Sequence, residues 1–172
     1  KVLSDFIFDY LLTRFYQQND DDALQQVYET WNADACELDT FANQRRNFVT
    51  TILKHKIGNN YTEIALQDAN KINQSLQKQI AQNKMTIVVF WQSSCHTCEQ
   101  VLPKLHDIYK KYKTKKVEVY AINLDKERKQ FQQTIEQKGF TWINVWDESR
   151  VAQKDYGILQ TPTLFIIDNT GK

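Results

Sequence analysis

Two cysteines with two residues between them, Cys95-His96-Thr97-Cys98, are the stretch of this chain whose types and spacing point most directly to chemistry. The pair alone fits three readings: half of a zinc site, two inert buried thiols, or a dithiol that exchanges with other disulfides. Zinc needs three or four ligands, and the other candidates, Cys36, His55 and His106, are scattered without a second paired motif. No metal site is therefore expected. Between inert and reactive thiols the tetrapeptide does not decide.

Position along the chain adds to it. The apolar, β-branched run Met85–Trp91 reads as a buried strand and stops at the polar Gln92-Ser93-Ser94. Beyond the cysteines, Leu102, Leu105, Ile108, Tyr109 and Tyr112 line one side of a helix over 95–113. Cys95 thus falls at a helix N-terminus, where unpaired backbone N–H groups and the helix dipole favour a thiolate. An imidazolium at His96 would lower the thiol pKa further. Cys98, one turn in, is expected to be more buried and able to resolve a mixed disulfide. One helical turn also brings the two sulfurs close enough to bond.

The elements that must hold this pair fall into two halves. Residues 1–58 read as helical, with Val2, Leu3, Phe6, Ile7, Tyr10, Leu11 and Phe15 on one face of the first helix. Asp20–Asp22 cap a second helix carrying Leu24, Val27, Tyr28 and Trp31 inward; a third follows Asp39 or Thr40 with Phe41, Phe48, Ile52 and Leu53 inward. It ends at Gly58-Asn59-Asn60. Cys36 reads as a small buried apolar residue. From residue 61 the period changes to a hairpin over 64–75, a Ser-capped helix over 76–82, and strands at 85–91, 117–124, 140–146 and 163–167. Helices are expected at 126–138, closed by Gly139, and near 148–156, ending at Gly157. Strands alternating with helices imply parallel pairs with helices on both faces. Trp142 and Trp146 read as strand packing, and His106 as a surface residue.

Composition bounds the rest. The chain has 172 residues, 41% of them apolar, with nine Phe, eight Tyr and four Trp, enough for a real core. Lys+Arg 22 against Asp+Glu 21 argues against a nucleic-acid footprint, and the lysines at 110–116 read as a solvated helix end. No run of 18 apolar residues exists to span a membrane. The chain starts at Lys1 without Met, which reads as a processed or trimmed form.

An ordered series of further residues surrounds the dithiol. Phe90-Trp91 precede it, Pro103 follows Cys98 by five residues, and Val117–Asn123 supplies the next strand. Tyr156-Gly157-Ile158 then leads to Thr161-Pro162-Thr163. On these residues, and on the hairpin ahead of the first core strand, the segment 61–172 resembles the TlpA/ResA-like branch of bacterial envelope thiol–disulfide oxidoreductases. The resemblance implies an α/β thioredoxin-like fold, a central mixed sheet flanked by helices, preceded by a small all-helical domain at 1–60. It implies Cys95 as nucleophile and Cys98 as resolving thiol, with Trp91, His96, Thr97, Pro103, Thr161 and Pro162 shaping the site. Pro162 would be cis and face Cys95, leaving the Thr161 backbone free to pair with an extended substrate. The redox-active Cys95–Cys98 disulfide would be the only redox group, with no separate cofactor. Protein thiols and disulfides and an upstream donor would be the partners, in the periplasm or cell envelope, with a membrane anchor outside this chain.

Four departures from that pattern stand out. Ser94 replaces the usual Trp before the first cysteine, and His96-Thr97 replaces the usual insert. Val89 and Val101 occupy positions where relatives carry acids, so Cys98 lacks an evident base, Glu99 being displaced along the helix. The segment also reads as lacking its last strand and closing helix, which would leave an apolar edge open to self-association. Two other functions compete with disulfide exchange: a partner-binding module with a vestigial dithiol, and a thiol-dependent peroxidase. The second is disfavoured because Trp91-Gln92-Ser93-Ser94 stands where such enzymes place Pro and Thr.

Overall fold

A capping carboxylate sets where the second N-terminal helix begins in the computed structural model, which describes residues 2–18, 20–33 and 40–172. Helix α1 runs Val2–Gln18, α2 Asp21–Ala33 and α3 Thr40–Lys54. Asp20 Oδ1 accepts the Ala23 N–H at 3.0 Å, the capping bond that starts α2. Their core is Phe8, Leu12, Leu24, Val49 and Ile52, with Phe8 stacked on Trp31 at 4.4 Å between ring centres. This corrects part of the expected inner face of α1: Phe15 packs against that core, but Phe6, Ile7 and Tyr10 are exposed, and the side chains of Val2 and Leu3 lie outside the described residues. Apolar residues run nearly all round α1, so spacing alone did not select the buried stripe. Cys36, Asp39 and the side chain of Phe41 lie outside the described residues.

The chain divides into two units, Lys1–Asn59 and Asn60–Lys172. The second is built on a six-stranded mixed sheet in the order β2-β1-β5-β4-β3-β6. The strands are β1 Ala65–Asp68, β2 Asn73–Ser75, β3 Met85–Trp91, β4 Val117–Asn123, β5 Ile143–Trp146 and β6 Thr163–Asp168. Central β3 pairs in parallel with β4 and antiparallel with β6, placing Phe90 beside Ile122 and Thr163. β4 and β5 are parallel, and the β1–β2 hairpin joins antiparallel through β5. Four helices flank the sheet: α4 Leu76–Gln82, α5 His96–Tyr112, α6 Arg128–Lys138 and α7 Val151–Asp155. Ser75 caps α4 by accepting the Lys78 N–H, and Gly139 closes α6 at φ 63°.

Because β3 and β4 are covered on both faces, they read as continuous apolar runs rather than alternating ones. One face packs Val88, Phe90, Tyr120 and Ile122 against Leu76, Ile80 and Tyr156. The other packs Val89, Trp91 and Ala121 against Leu102 and Leu105 of α5 and Phe131 of α6. Two boundaries differ from expectation because a side chain takes over backbone groups, and the end of α3 differs as well. The Asn144 amide bonds the Phe140 and Trp142 carbonyls and the Trp142 indole N–H, so β5 starts at Ile143 rather than 140. Buried Asp147 accepts the Val151 and Gln153 N–H groups at 3.0 and 2.8 Å, which delays α7 to Val151. The Gly58 bend lies beyond the end of α3 at Lys54.

His106 is a further correction. It is buried rather than a surface residue, its ring edge-on to Trp142 with centres 5.1 Å apart. Its Nε2 lies 3.2 Å from Thr141 Oγ1 and accepts the Thr141 N–H at 3.4 Å. Burial, reinforced by Lys110, holds its imidazole below the ordinary value of 6.5.

Candidate functional site

The site forms where β3 ends. The Cys95 N–H donates to the Gln92 carbonyl at 3.2 Å, closing a turn over Gln92-Ser93-Ser94. Cys95 is then the N-cap of α5: its Sγ accepts the Cys98 N–H at 3.1 Å. A sulfur in that position receives the orphan donor and the positive end of the dipole of a 17-residue helix, conditions that favour a thiolate on reduction. Cys95 and Cys98 are disulfide-bonded, with Cα atoms 5.2 Å apart, inside the range a disulfide requires. Cys98 is 1% exposed, whereas Cys95 is half-buried. The pair is thus asymmetric: one sulfur reachable, the other enclosed.

The loop before β6 supplies the opposite wall. The Thr161–Pro162 peptide bond is cis, and the Thr161 carbonyl oxygen lies 3.2 Å from Cys95 Sγ. A disulfide sulfur carries no proton, so this is a contact in the oxidised state. In the dithiol the Cys95 thiol would donate to that oxygen. Thr161 and Pro162 are half-buried. Trp91 is enclosed beneath the turn, edge-on to Phe140 with ring centres 6.1 Å apart.

Not every expected residue converges. His96 is exposed, its Nδ1 3.7 Å from Glu99 Oε2 and its Nε2 accepting from the Gln100 amide. Thr97 is also exposed. Pro103 sits inside α5, where it removes one helical N–H donor. Val89 is fully buried among apolar side chains, and Val101 is half-buried. Beside Cys98 lies a cavity of about 250 Å³ whose polar lining includes Glu99, Gln130, Thr134, Gln137 and Lys138. Glu99 therefore borders the enclosed sulfur's cavity despite its displacement along the helix. Among the described residues no three His, Cys, Asp or Glu side chains converge as a metal cluster.

One residue was missed by sequence reasoning. Asp125, just past β4, is 4% exposed and its carboxylate holds the active turn through Ser93. Its position after an apolar strand, in Asn123-Leu124-Asp125, looks like an ordinary polar turn. Only the parallel β3–β4 pairing, with Trp91 opposite Asn123, brings it beside the turn before Cys95.

Comparisons with known proteins agree with this geometry. Residues 57–172 match the AhpC/TSA family. The chain is 27% identical over 146 residues to the thiol-disulfide oxidoreductase ResA of Bacillus anthracis, covering 85% of this chain and 73% of that one. Over 83 residues it is 32% identical to ResA of Bacillus cereus, 48% of each chain, so the match spans about half the length of that relative. Among solved structures, a domain of a possible thiol-disulfide isomerase from Cytophaga hutchinsonii is 30% identical. It superimposes with a TM-score of 0.60 over 66% of this chain and 78% of that one. A thiol-disulfide oxidoreductase from Bacteroides fragilis is 26% identical, with a TM-score of 0.60 over 66% and 85%.

Proposed function

The chain belongs to the AhpC/TSA family, and from that premise we propose that it is a ResA-like thiol–disulfide oxidoreductase acting on proteins through Cys95 and Cys98. The observation that carries the reading is the asymmetry of the pair: Cys95 Sγ caps α5 at 3.1 Å from the Cys98 N–H, while Cys98 is 1% exposed. The helix terminus favours the Cys95 thiolate as attacking group. It attacks one sulfur of a substrate disulfide; that S–S bond breaks and the other sulfur leaves as a thiolate, which takes up a proton. Cys98 then loses its proton and attacks Cys95 Sγ, releasing the second substrate thiol. Two electrons pass to the substrate, and the protein is left with the Cys95–Cys98 disulfide. An upstream dithiol reverses the change, and the cycle uses no other cofactor.

Site-shaping roles follow from position. Thr161 and cis-Pro162 border Cys95, and the Thr161 backbone is the group that pairs with an extended substrate. Trp91 supports the turn from below, Pro103 borders the Cys98 cavity, and His96 and Thr97 face incoming partners from solvent. The proposal extends to compartment and assembly. Resemblance to TlpA/ResA-like envelope proteins supports a periplasmic or envelope location with an anchor outside this chain. No described helix is long and apolar enough to cross a membrane. Leu164 and Ile166, exposed on edge strand β6, support self-association, which the mass in solution tests.

The test is trapping. A Cys98→Ser variant accumulates covalent complexes with protein substrates, resolved by dithiothreitol, and Cys95→Ser does not. Equal trapping by both, or by neither, overturns the assignment.

A further inference from the structure

The oxidoreductase reading leaves open how the turn presenting Cys95 is held, and this inference rests on that reading. Ser93 and Ser94 are the middle residues of the turn closed by the Cys95 N–H and the Gln92 carbonyl. Ser93 bonds outward to one carboxylate: its N–H donates to Asp125 Oδ1 at 2.9 Å and its hydroxyl to Oδ2 at 2.5 Å. Oδ2 also accepts from Asn123 Nδ2 at 2.9 Å. The Asp125 backbone is fixed in turn. Its N–H donates to Asn123 Oδ1 at 2.9 Å, and its carbonyl accepts the Trp146 indole N–H at 2.8 Å. Next to it, Gln92 Nε2 donates to the Leu124 carbonyl at 3.0 Å.

These bonds clamp the end of β3 to the end of β4 with a carboxylate that is 4% exposed. None of its three donors is a cation. These neutral donors satisfy the oxygen lone pairs without forming an ion pair. A carboxylate bonded to Ser93, two residues before Cys95, also disfavours a thiolate at that turn, and a disfavoured thiolate makes the couple more reducing. We propose that Asp125 is a positioning residue of the dithiol: through Ser93 it fixes the turn that presents Cys95, and it biases the couple toward the disulfide. A reductant is the direction this favours.

The experiment equilibrates wild type, Ser93→Ala and Asp125→Asn with mixtures of glutathione and glutathione disulfide. Two glutathione thiols reduce the protein disulfide, giving the dithiol and one glutathione disulfide, and alkylation followed by mass measurement counts the free thiols. Asp125→Asn is expected to move the equilibrium about tenfold toward the dithiol, ~30 mV for a two-electron couple. Ser93→Ala keeps the charge but loses the hydroxyl bond that holds the turn in the disulfide form, so by loosening that form it moves the midpoint in the same direction by less. A residue that merely supports the fold lowers thermal stability in both redox states and leaves this midpoint in place. Wild-type midpoints in both variants, with near-ultraviolet dichroism intact, overturn the proposal. Where Asp125→Asn does not fold, Ser93→Ala decides alone: a shift toward the dithiol supports the clamp and an unchanged midpoint overturns it. A wild-type protein that never exchanges with glutathione sinks the oxidoreductase reading instead.

Discussion

Cys95 and Cys98 carry the same thiol chemistry but meet different surroundings. Cys95 receives a backbone N–H at the start of α5 and touches the Thr161 carbonyl, whereas Cys98 is enclosed beside Leu102 and Trp91. The first environment favours a thiolate on reduction, and the second shields its sulfur from solvent. Elsewhere the same enclosing logic acts on a titrating group. Burial holds the His106 imidazole below 6.5, with Lys110 adding and Asp107 opposing, while Phe140, Thr141 and Trp142 facing it from the neighbouring segment are neutral. The unfolded chain therefore binds this proton first as pH falls, so the contribution is complete above about 6.5 and is lost as pH drops toward the lower folded value. Urea midpoints measured from pH 7 to pH 5 are expected to fall less in His106→Gln than in wild type. Parallel slopes in the two proteins would refute this.

Element boundaries are set by single buried side chains. Buried Asp147 accepts two part-buried N–H groups at the start of α7, so Asp147→Ala removes both bonds and costs about 1–3 kcal/mol in denaturant unfolding. Ser75 at the start of α4 is a more exposed cap, and Ser75→Ala is expected to cost about 1 kcal/mol. A reversed order of the two losses would count against the burial argument. Glu63 shares the second site, accepting the Ser75 hydroxyl and the Gln77 N–H at 2.7 Å each, so its loss overlaps with that of Ser75. Tyr120 ties edge strand β2 to the core, and Tyr156 ties the segment ahead of the sheet to it. Tyr120 donates to the Gln74 carbonyl at 2.9 Å and Tyr156 to the Thr62 carbonyl at 2.5 Å. Burial pushes both phenols well above their ordinary value.

At the scale of the whole molecule, the unit Asn60–Lys172 contains its own sheet, both helical layers and every residue of the proposed site. A protein comprising residues 60–172 is expected to fold and to exchange its dithiol at the wild-type glutathione midpoint; loss of either property would assign the helical unit a part in the chemistry. The order of strands and helices in this unit was legible in the chain, because period-two and continuous apolar runs report burial directly. The dithiol was legible for a related reason: a strand, a polar break and a helix start are local features, and they place Cys95 at a helix terminus. The buried face of α1 was not, since its apolar residues surround the helix and only contact with Leu24 and Val49 selects Phe8 and Leu12. Nor was the burial of His106, which depends on Phe140 and Trp142 arriving from another segment. Asp125 lies 30 residues from Cys95 in the chain and meets its turn only through the β3–β4 register. Local order along the chain determined the cysteine pair and the helix start that carries it. Parallel pairing between distant strands decided which carboxylate holds the turn, because a parallel register brings together residues that no local spacing relates.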